Sequence, residues 1–171
     1  MSKTIDKPIL DVTCGSRMIW FNKQHLRALY IDNRTVPKIT LCDGRSFEVN
    51  PDVVTDFRHL PYPDGTFKLV VFDPPHDKSP GKTSWTMMKY GKLPDEWKSM
   101  LKDGVRECMR VLDDYGVLIF KWSEIQISTR AVIDAIGIQP LFGHRIGKQS
   151  KTHWMTFMKI PEMEEIKDAK V

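Results

Sequence analysis

The sequence predicts an α/β fold of seven strands that finishes in an antiparallel hairpin, and three observations support this class. First, short apolar runs alternate with helical or turn segments over the first two-thirds of the chain, a pattern typical of α/β proteins. Second, the early apolar runs end in aspartate. Third, two apolar runs, 139–146 and 153–160, are joined by the polar linker 147–151, which indicates antiparallel neighbours.

Composition places the chain among single globular domains. Its 171 residues match one ordinary domain, and 41% hydrophobic with 28% charged residues predict a packed core. The apolar runs are far shorter than the ~20 residues that a membrane helix needs, and the N-terminus has no apolar signal region. Three cysteines without metal-ligand spacing fit a reducing cytosol. We expect one cytoplasmic domain, 1–171, with its core at about 7–160 and a frayed acidic tail at 161–171.

The first half contains the strands that end in acids. Four strands are predicted there, each ending in Asp or in Asp plus one small residue: 9–12, 28–32, 52–56 and 69–73. Between the first two strands, residues 17–25 read as a short amphipathic helix that carries Trp20 and Phe21.

The second half begins with a long polar loop, 77–93. Apolar residues at helical spacing then predict a helix over 94–112, which starts at a proline followed by two acids. A fifth strand, 117–120, and a helix over 129–136 that Gly137 closes lead to the terminal hairpin.

The most informative motif is Asp73-Pro74-Pro75-His76, directly after the fourth strand. An acid at the carboxyl end of a strand is well placed for chemistry in an open α/β sheet. The prolines stop the strand and stiffen the turn, because each fixes its φ angle and lacks an N–H group. The corner offers a carboxylate, carbonyl acceptors and a flat imidazole, a set that suits an amino group on a planar ring. Taken alone, the four residues are equally explained as a proline turn.

These motifs resemble those of Rossmann-like S-adenosylmethionine-dependent methyltransferases, over roughly residues 7–160. The resemblance implies a mostly parallel sheet with helices on both faces, and S-adenosyl-L-methionine as cofactor. More narrowly, the corner resembles the Asp/Asn/Ser-Pro-Pro-aromatic amino-methyltransferases, which methylate exocyclic nitrogens of adenine or cytosine. Asp-Pro-Pro-His and Phe120-Lys121-Trp122 are also similar to segments of small methyltransferases encoded by bacteriophages of Gram-positive bacteria.

In that family the turn after the first strand holds the methionine half of the cofactor. The matching residues here are Asp11, Thr13, Cys14, Gly15, Ser16 and Arg17. Asp11 is expected to reach the cofactor ammonium group, and Gly15 allows a tight turn and close approach of the ligand. Arg17 stands where the family often has a second glycine, so it is expected to narrow the turn or donate to the cofactor carboxylate. Cys14 is interpreted as a small packing residue.

Two further strand ends complete the implied cofactor site. Asp32 matches the family acid that accepts both ribose hydroxyls, which a carboxylate does through its two oxygens. Asp56 and Phe57 match the position that contacts the adenine amino group and ring. A helix cap or a turn aspartate is an equal explanation for Asp32 without this context.

The implied chemistry needs positioning and no metal. If the Asp73 carboxylate and the Pro74 carbonyl accept the two amino hydrogens, the nitrogen lone pair points at the methyl group. We interpret Asp73 as a positioning acceptor before a base. His76 replaces the usual aromatic residue; it can stack on a flipped base, and its titration near neutral pH would make activity pH-sensitive. A helix-capping or solvent-facing histidine is the alternative.

The net charge of +4 permits a polyanionic partner without demanding one. Cations and aromatics interleave in the loop 77–93, which suits phosphates and unstacked bases. Candidate substrate contacts are Lys82, Trp85, Tyr90, Lys121 and Trp122. A solvated lysine-rich loop is the alternative. Because the chain has little room for a target-recognition region, specificity is relaxed, comes from a dimer partner, or concerns a substrate other than duplex DNA.

The resulting hypothesis is a methyltransferase acting on adenine N6, with nucleic acid as partner, DNA favoured over RNA, and no membrane association. Cytosine N4, RNA and protein amides remain open as acceptors, since the same corner can hold an amide. A non-catalytic subunit that binds S-adenosylmethionine is an alternative of a different class, and a small-molecule methyltransferase is less favoured.

Overall fold

The computed structural model describes residues 6–40, 44, 46–79, 81, 85–145 and 151–161. Nine strands and three helices lie in these ranges. The strands are β1 Ile9–Asp11, β2 Ala28–Asp32, β3 Val36–Thr40, β4 Ser46–Val49, β5 Val53–Val54, β6 Phe67–Phe72, β7 Leu112–Ser123, β8 Phe142–Arg145 and β9 Thr152–Met158. The helices are α1 Trp85–Tyr90, α2 Trp97–Val111 and α3 Thr129–Ile136.

Seven of the strands form one sheet in the order β5-β2-β1-β6-β7-β9-β8. The first five are mutually parallel, and β9 pairs antiparallel with both β7 and β8. The predicted fold class, a mostly parallel sheet with an antiparallel C-terminal pair, is therefore confirmed. From β1 the chain continues to β2 on one side, and from β6 it continues to β7 on the other side. The carboxyl ends of β1 and β6 therefore flank the position where the strand order reverses, which is where open α/β sheets bind ligands.

The two longer helices pack on one face of this sheet. The buried stripe of α2 faces the sheet residues and α3, and consists of Trp97, Met100, Leu101, Gly104, Val105, Cys108 and Val111. A Cβ atom on Gly104 would lie 2.7 Å from Phe57, so only glycine allows this close approach. Helix α3 begins where the Ser128 side chain accepts from Ala131 N and ends at Gly137 with φ 78°, as its sequence predicts.

The predicted helix at 17–25 is wrong, because the chain between β1 and β2 is a series of turns and bends. Gly15 and Arg17 both have positive φ angles, 47° and 54°, which no α-helix accommodates. Phe21 is fully exposed, so it contributes nothing to an apolar face. On this side of the sheet, the cluster of Cys14, Ala28 and Tyr30 is covered by Trp20 and Ile9; among the described residues no helix packs against it.

Other differences lie in polar segments. The sequence does not predict the antiparallel pair β3–β4, because it lacks the usual apolar pattern of strands. Pro37 interrupts β3, and only Phe47 and Val49 of the pair are buried. The polar loop 77–93 contains α1, and β7 starts at Leu112 immediately after α2, five residues earlier than its apolar run suggests. Most of the predicted hairpin linker and acidic tail, residues 146–150 and 162–171, falls outside the described residues.

Over the part of the chain that the structure describes, no helix has the length and apolar character needed to cross a bilayer.

Candidate active site at the carboxyl ends of the sheet

A cleft of about 640 Å3, its open mouth included, lies at the carboxyl ends of β1, β2 and β6. Most of the predicted cofactor and catalytic residues line it together: Asp11, Thr13, Cys14, Gly15, Ser16, Asp32, Phe57, Asp73 and Pro75. Helix α1 contributes Lys89 and Tyr90 to one wall. The parallel sheet explains the convergence, because consecutive strands of this topology end at the same edge.

Asp11 lies at the bottom of the cleft and is only 1% exposed. Its Oδ1 accepts from the Thr13 N–H at 3.2 Å, and its Oδ2 accepts from the Trp20 indole N–H at 2.7 Å. Burial raises the pKa of the Asp11 carboxyl to about 7, the hydrogen bond from Trp20 opposes that rise, and the nearby charges of Asp73 and Asp32 add to it. A cation bound beside Asp11 would be strongly favoured, since it would relieve this unfavourable negative charge.

Asp32 is 7% exposed, and both of its oxygens hold groups of the cleft wall. Oδ2 accepts from Gly15 N at 2.9 Å, and Oδ1 accepts from Arg34 Nε at 3.2 Å. The guanidinium of Arg34 also donates to the carbonyls of Met88, at 2.9 Å, and Lys89. Arg34 therefore joins the end of β2 to the end of α1, a role that sequence reasoning missed because it depends on a residue more than fifty positions away.

The turn after β1 is closely fitted to α1. Gly15 has φ 47°, and a Cβ atom there would lie 3.5 Å from the Lys89 carbonyl oxygen. Cys14 is 5% exposed, and burial raises the pKa of its thiol to about 12. Cys14 is therefore a neutral packing residue rather than a nucleophile.

Two predicted cofactor residues do not line the cleft. The Arg17 guanidinium donates to the carbonyls of Lys23 and Asn50 and lies 3.8 Å from the Tyr30 ring centroid, so it braces the turn instead of facing a cofactor carboxylate. Its positive φ nevertheless fits the glycine position of the resemblance. Asp56 is held by Arg58, with 2.6 Å between its Oδ2 and the guanidinium; this hydrogen bond lowers the pKa of Asp56. Of the predicted pair Asp56 and Phe57, only Phe57 lines the cleft.

Asp73 stands on the opposite wall from Asp32. Its backbone N–H donates to Thr13 Oγ1 at 2.8 Å, which ties the Pro-Pro corner to the turn after β1. Its Oδ2 accepts from Lys121 Nζ at 2.6 Å, whereas its Oδ1 is buried and has no hydrogen-bond partner within the described part of the chain. Burial raises the pKa of Asp73, and the charge and hydrogen bond of Lys121 oppose that rise.

His76 lies among aromatic rings. Its ring centroid is 5.1 Å from that of Tyr90 and 6.2 Å from that of Trp122. Burial lowers the pKa of His76, so the imidazole is neutral at neutral pH. Its Nδ1 is buried, and a backbone hydrogen bond with Pro74 partly opposes the fall in the pKa of the ring.

The predicted substrate contacts are only partly brought together. Tyr90 lines the cleft and Lys121 reaches it through Asp73. Trp122 is a core residue instead: it is 1% exposed and its indole N–H donates to the Ile127 carbonyl at 2.9 Å. Trp85 belongs to α1, and Lys82 lies outside the described residues.

No protein-family model matches the chain, and no curated protein matches it. Solved structures do match. A protein from Pyrococcus horikoshii is 14% identical, with 90% of this chain and 81% of that chain covered and a TM-score of 0.57. An rRNA methylase from Streptococcus thermophilus is 10% identical over 93% of this chain and 92% of that chain, with a TM-score of 0.51. A SAM-dependent methyltransferase from Leishmania major is 10% identical over 92% and 67%, with a TM-score of 0.51.

These likenesses establish the fold. The chain has the Rossmann-like methyltransferase fold that the resemblance implies, and its structural neighbours include SAM-dependent methyltransferases. The cleft lies where this class of sheet binds its ligands.

Proposed function

We propose that the protein is an S-adenosylmethionine-dependent methyltransferase that methylates an exocyclic amino nitrogen, adenine N6 in DNA being the acceptor. The proposal depends on the state of the Asp73 carboxylate in the cleft. One of its oxygens is buried and unpaired within the described residues, in the same cleft as the acids on β1 and β2. A buried acceptor without a donor is costly unless a ligand supplies one.

The cleft suits the proposed cofactor. Asp11 is a buried carboxyl whose raised pKa favours a cation beside it, and the methionine ammonium is such a cation. Asp32 Oδ2 accepts one hydrogen bond, from Gly15 N, and can accept a second from a ribose hydroxyl. Phe57 offers an apolar ring for the adenine. When bound, S-adenosylmethionine supplies an electrophilic methyl group on a sulfonium sulfur.

The chain's own residues orient the acceptor. Asp73 Oδ1 accepts one amino hydrogen and the Pro74 carbonyl accepts the other, so the nitrogen lone pair turns towards the cofactor. Pro74 and Pro75 keep the corner rigid, and Thr13 anchors it to the cofactor turn through the 2.8 Å bond to Asp73 N. His76 is neutral and lies near Tyr90, an arrangement that supports stacking of a flipped planar base against this pair of rings.

A tritium-transfer assay tests the proposal. The purified protein is incubated with methyl-labelled cofactor and double-stranded DNA, single-stranded DNA or RNA, and the label in nucleic acid is counted. Asp73→Ala removes both acceptor oxygens, so incorporation is expected to fall at least about a hundredfold. Asp113→Ala, which removes an exposed ion pair with Lys68, is the matched control.

The outcomes separate the alternatives that the residues leave open. Labelled DNA supports the proposal, and label only in RNA moves the acceptor to RNA. Cofactor binding without labelling of any nucleic acid overturns it and favours a protein-amide acceptor or a non-catalytic cofactor-binding subunit. Light scattering of the active species tests the proposed contribution of a second copy to target recognition.

A further inference from the structure

The register between β6 and β7 places Lys121 beside Asp73. Phe72 of β6 pairs with Phe120 of β7, so the residues that follow, Asp73 just past the end of β6 and Lys121 within β7, lie side by side. Lys121 Nζ is 2.6 Å from Asp73 Oδ2, and the two side chains are 15% and 10% exposed. The ammonium also lies 5.5 Å from the Tyr90 ring centroid and 5.8 Å from the Trp154 ring centroid.

This arrangement fixes the carboxylate asymmetrically. Among the described residues, Lys121 donates a side-chain hydrogen bond to Asp73 alone, and it does so at Oδ2. The other oxygen, Oδ1, is left buried and without a donor in the same part of the chain. Tyr90 and Trp154 stabilise the ammonium within the ~6 Å range of cation–π contacts, so Lys121 stays beside the carboxylate.

The pair also sets the charge of the acceptor pocket. A buried carboxylate without a cation would attract a positively charged amine, whereas an ion pair has no net charge. Aliphatic amines are ammonium ions at neutral pH, while aromatic amines and amides are uncharged and planar. A neutral pocket with one open oxygen therefore fits the second class.

We propose that Lys121 is a positioning residue for the methyl acceptor: it occupies Asp73 Oδ2, leaves Oδ1 to receive one amino hydrogen, and cancels the carboxylate charge so that uncharged planar amino groups are selected. The inference rests on the proposed function, because the amino group is the acceptor named there. It assigns to Lys121 a role through Asp73 rather than a direct contact with substrate.

The titration of Asp73 distinguishes this role from that of a purely structural ion pair. Asp73 is faced by Asp11 from β1, by His76 from its own turn, by Tyr90 from α1 and by Lys121 from β7. Of these groups, Lys121 has the largest effect favouring ionised Asp73, with a smaller one from His76. Removing Lys121 must therefore move the pH at which Asp73 becomes an acceptor, which a change in folding alone would not do.

The experiment compares Lys121→Met and Lys121→Arg with the wild type, and Lys68→Met serves as control because Lys68 makes an exposed ion pair far from the cleft. The carboxyl carbon of Asp73 is titrated by NMR, and methyl transfer to adenine in DNA is measured from pH 5 to 9. Thermal unfolding verifies that each variant is folded. Lys121→Met keeps the stem of the side chain and removes the charge.

We expect the Asp73 titration and the acid limb of kcat to move upward together by at least about one pH unit in Lys121→Met. On the acid limb the rate should fall at least about tenfold relative to the wild type and recover in part at pH 9, while KM for the cofactor stays within about twofold. Lys121→Arg should retain most of the rate, since it restores the cation. Lys68→Met should match the wild type.

The experiment distinguishes failure of the Lys121 role from failure of the proposed function. If the Asp73 titration and the acid limb are unchanged in Lys121→Met, the role of Lys121 is overturned even though the enzyme methylates DNA. If the Asp73 titration moves upward but neither wild type nor variant methylates any nucleic acid, the ion-pair role is supported and the proposed function is the part that fails.

Discussion

Arg34 bridges Asp32 and the last turn of α1, since its Nε lies 3.2 Å from Asp32 Oδ1 and its terminal nitrogens donate to the carbonyls of Met88 and Lys89. One side chain thus connects the proposed ribose acid to the helix that walls the cleft. Helix α1 has only six residues, too few for independent stability. Its position depends on such contacts from outside.

Replacing Arg34 by Met should therefore loosen α1. Charge-assisted hydrogen bonds contribute about 1.5–3 kcal/mol each, so amide hydrogen exchange at 85–90 should accelerate at least about tenfold. Exchange in α2 should stay the same. Arg130→Met, which removes an exposed i,i+4 pair on α3, is the control. Unchanged exchange in α1 would mean that other contacts hold the helix.

Asp11 should make stability depend on pH. Its folded-state pKa of about 7 lies above the ordinary value of 3.8 because the carboxyl is buried, so the folded state prefers the protonated form. The contribution of Asp11 is therefore most favourable below pH 4 and is lost as pH rises towards 7 and beyond. Asp11→Asn should raise Tm relative to the wild type more at pH 8 than at pH 5. Equal differences in Tm at the two pH values would contradict a raised pKa of Asp11 in the folded state.

Cofactor binding gives an independent readout of the same residue. Because a bound ammonium stabilises ionised Asp11, binding of S-adenosylmethionine at pH 6.5 should release protons. Calorimetry in two buffers of different ionisation enthalpy measures that release. Asp11→Asn should abolish it and weaken binding at least about tenfold.

Gly104→Ala should damage the core and the cleft together. The added Cβ would lie 2.7 Å from the ring of Phe57, which lines the cleft. Overpacking of this kind costs about 1–3 kcal/mol in the free energy of unfolding, and cofactor affinity should fall as Phe57 moves. Ser99→Ala on the exposed side of α2 is the matched control, and denaturant unfolding with calorimetry provides both quantities. A variant of normal stability would show that Phe57 moves aside without cost.

The turn segment between β1 and β2 offers a paired test. Phe21 is fully exposed, so Phe21→Ser should change the free energy of unfolding by less than about 0.5 kcal/mol. Trp20→Ala removes the donor to Asp11 and the ring contact with Tyr30, at a centroid distance of 5.0 Å, and should cost at least about 2 kcal/mol. Similar effects of the two changes would contradict the turn conformation and would revive the predicted helix.

The sheet and its acids were predictable because both follow local rules. Apolar runs ended by Asp11, Asp32 and Asp73 identify strands, and parallel strands bring their carboxyl ends to one edge. The prediction of a helix over 129–136 closed by Gly137 agrees with α3 to the residue. In these places local chemistry and tertiary structure agree.

The failures come from tertiary contacts that residue spacing does not encode. Residues 17–25 have helical spacing, but the positive φ of Arg17 and the bond from Trp20 to Asp11 favour turns instead. Trp122 resembles a substrate contact in sequence, yet its indole is buried against the Ile127 carbonyl. The reach of Arg34 to α1 depends on distances that spacing along the chain does not encode.

The central claim is that the Asp73 corner methylates adenine N6 in DNA. Mass spectrometry of nucleosides from cells that express the wild type or Asp73→Ala tests it most directly, in a host without adenine methylation of its own. The account predicts N6-methyladenine in DNA with the wild type and background amounts with Asp73→Ala. No N6-methyladenine with a folded, cofactor-binding wild type, or equal amounts with both proteins, would contradict it.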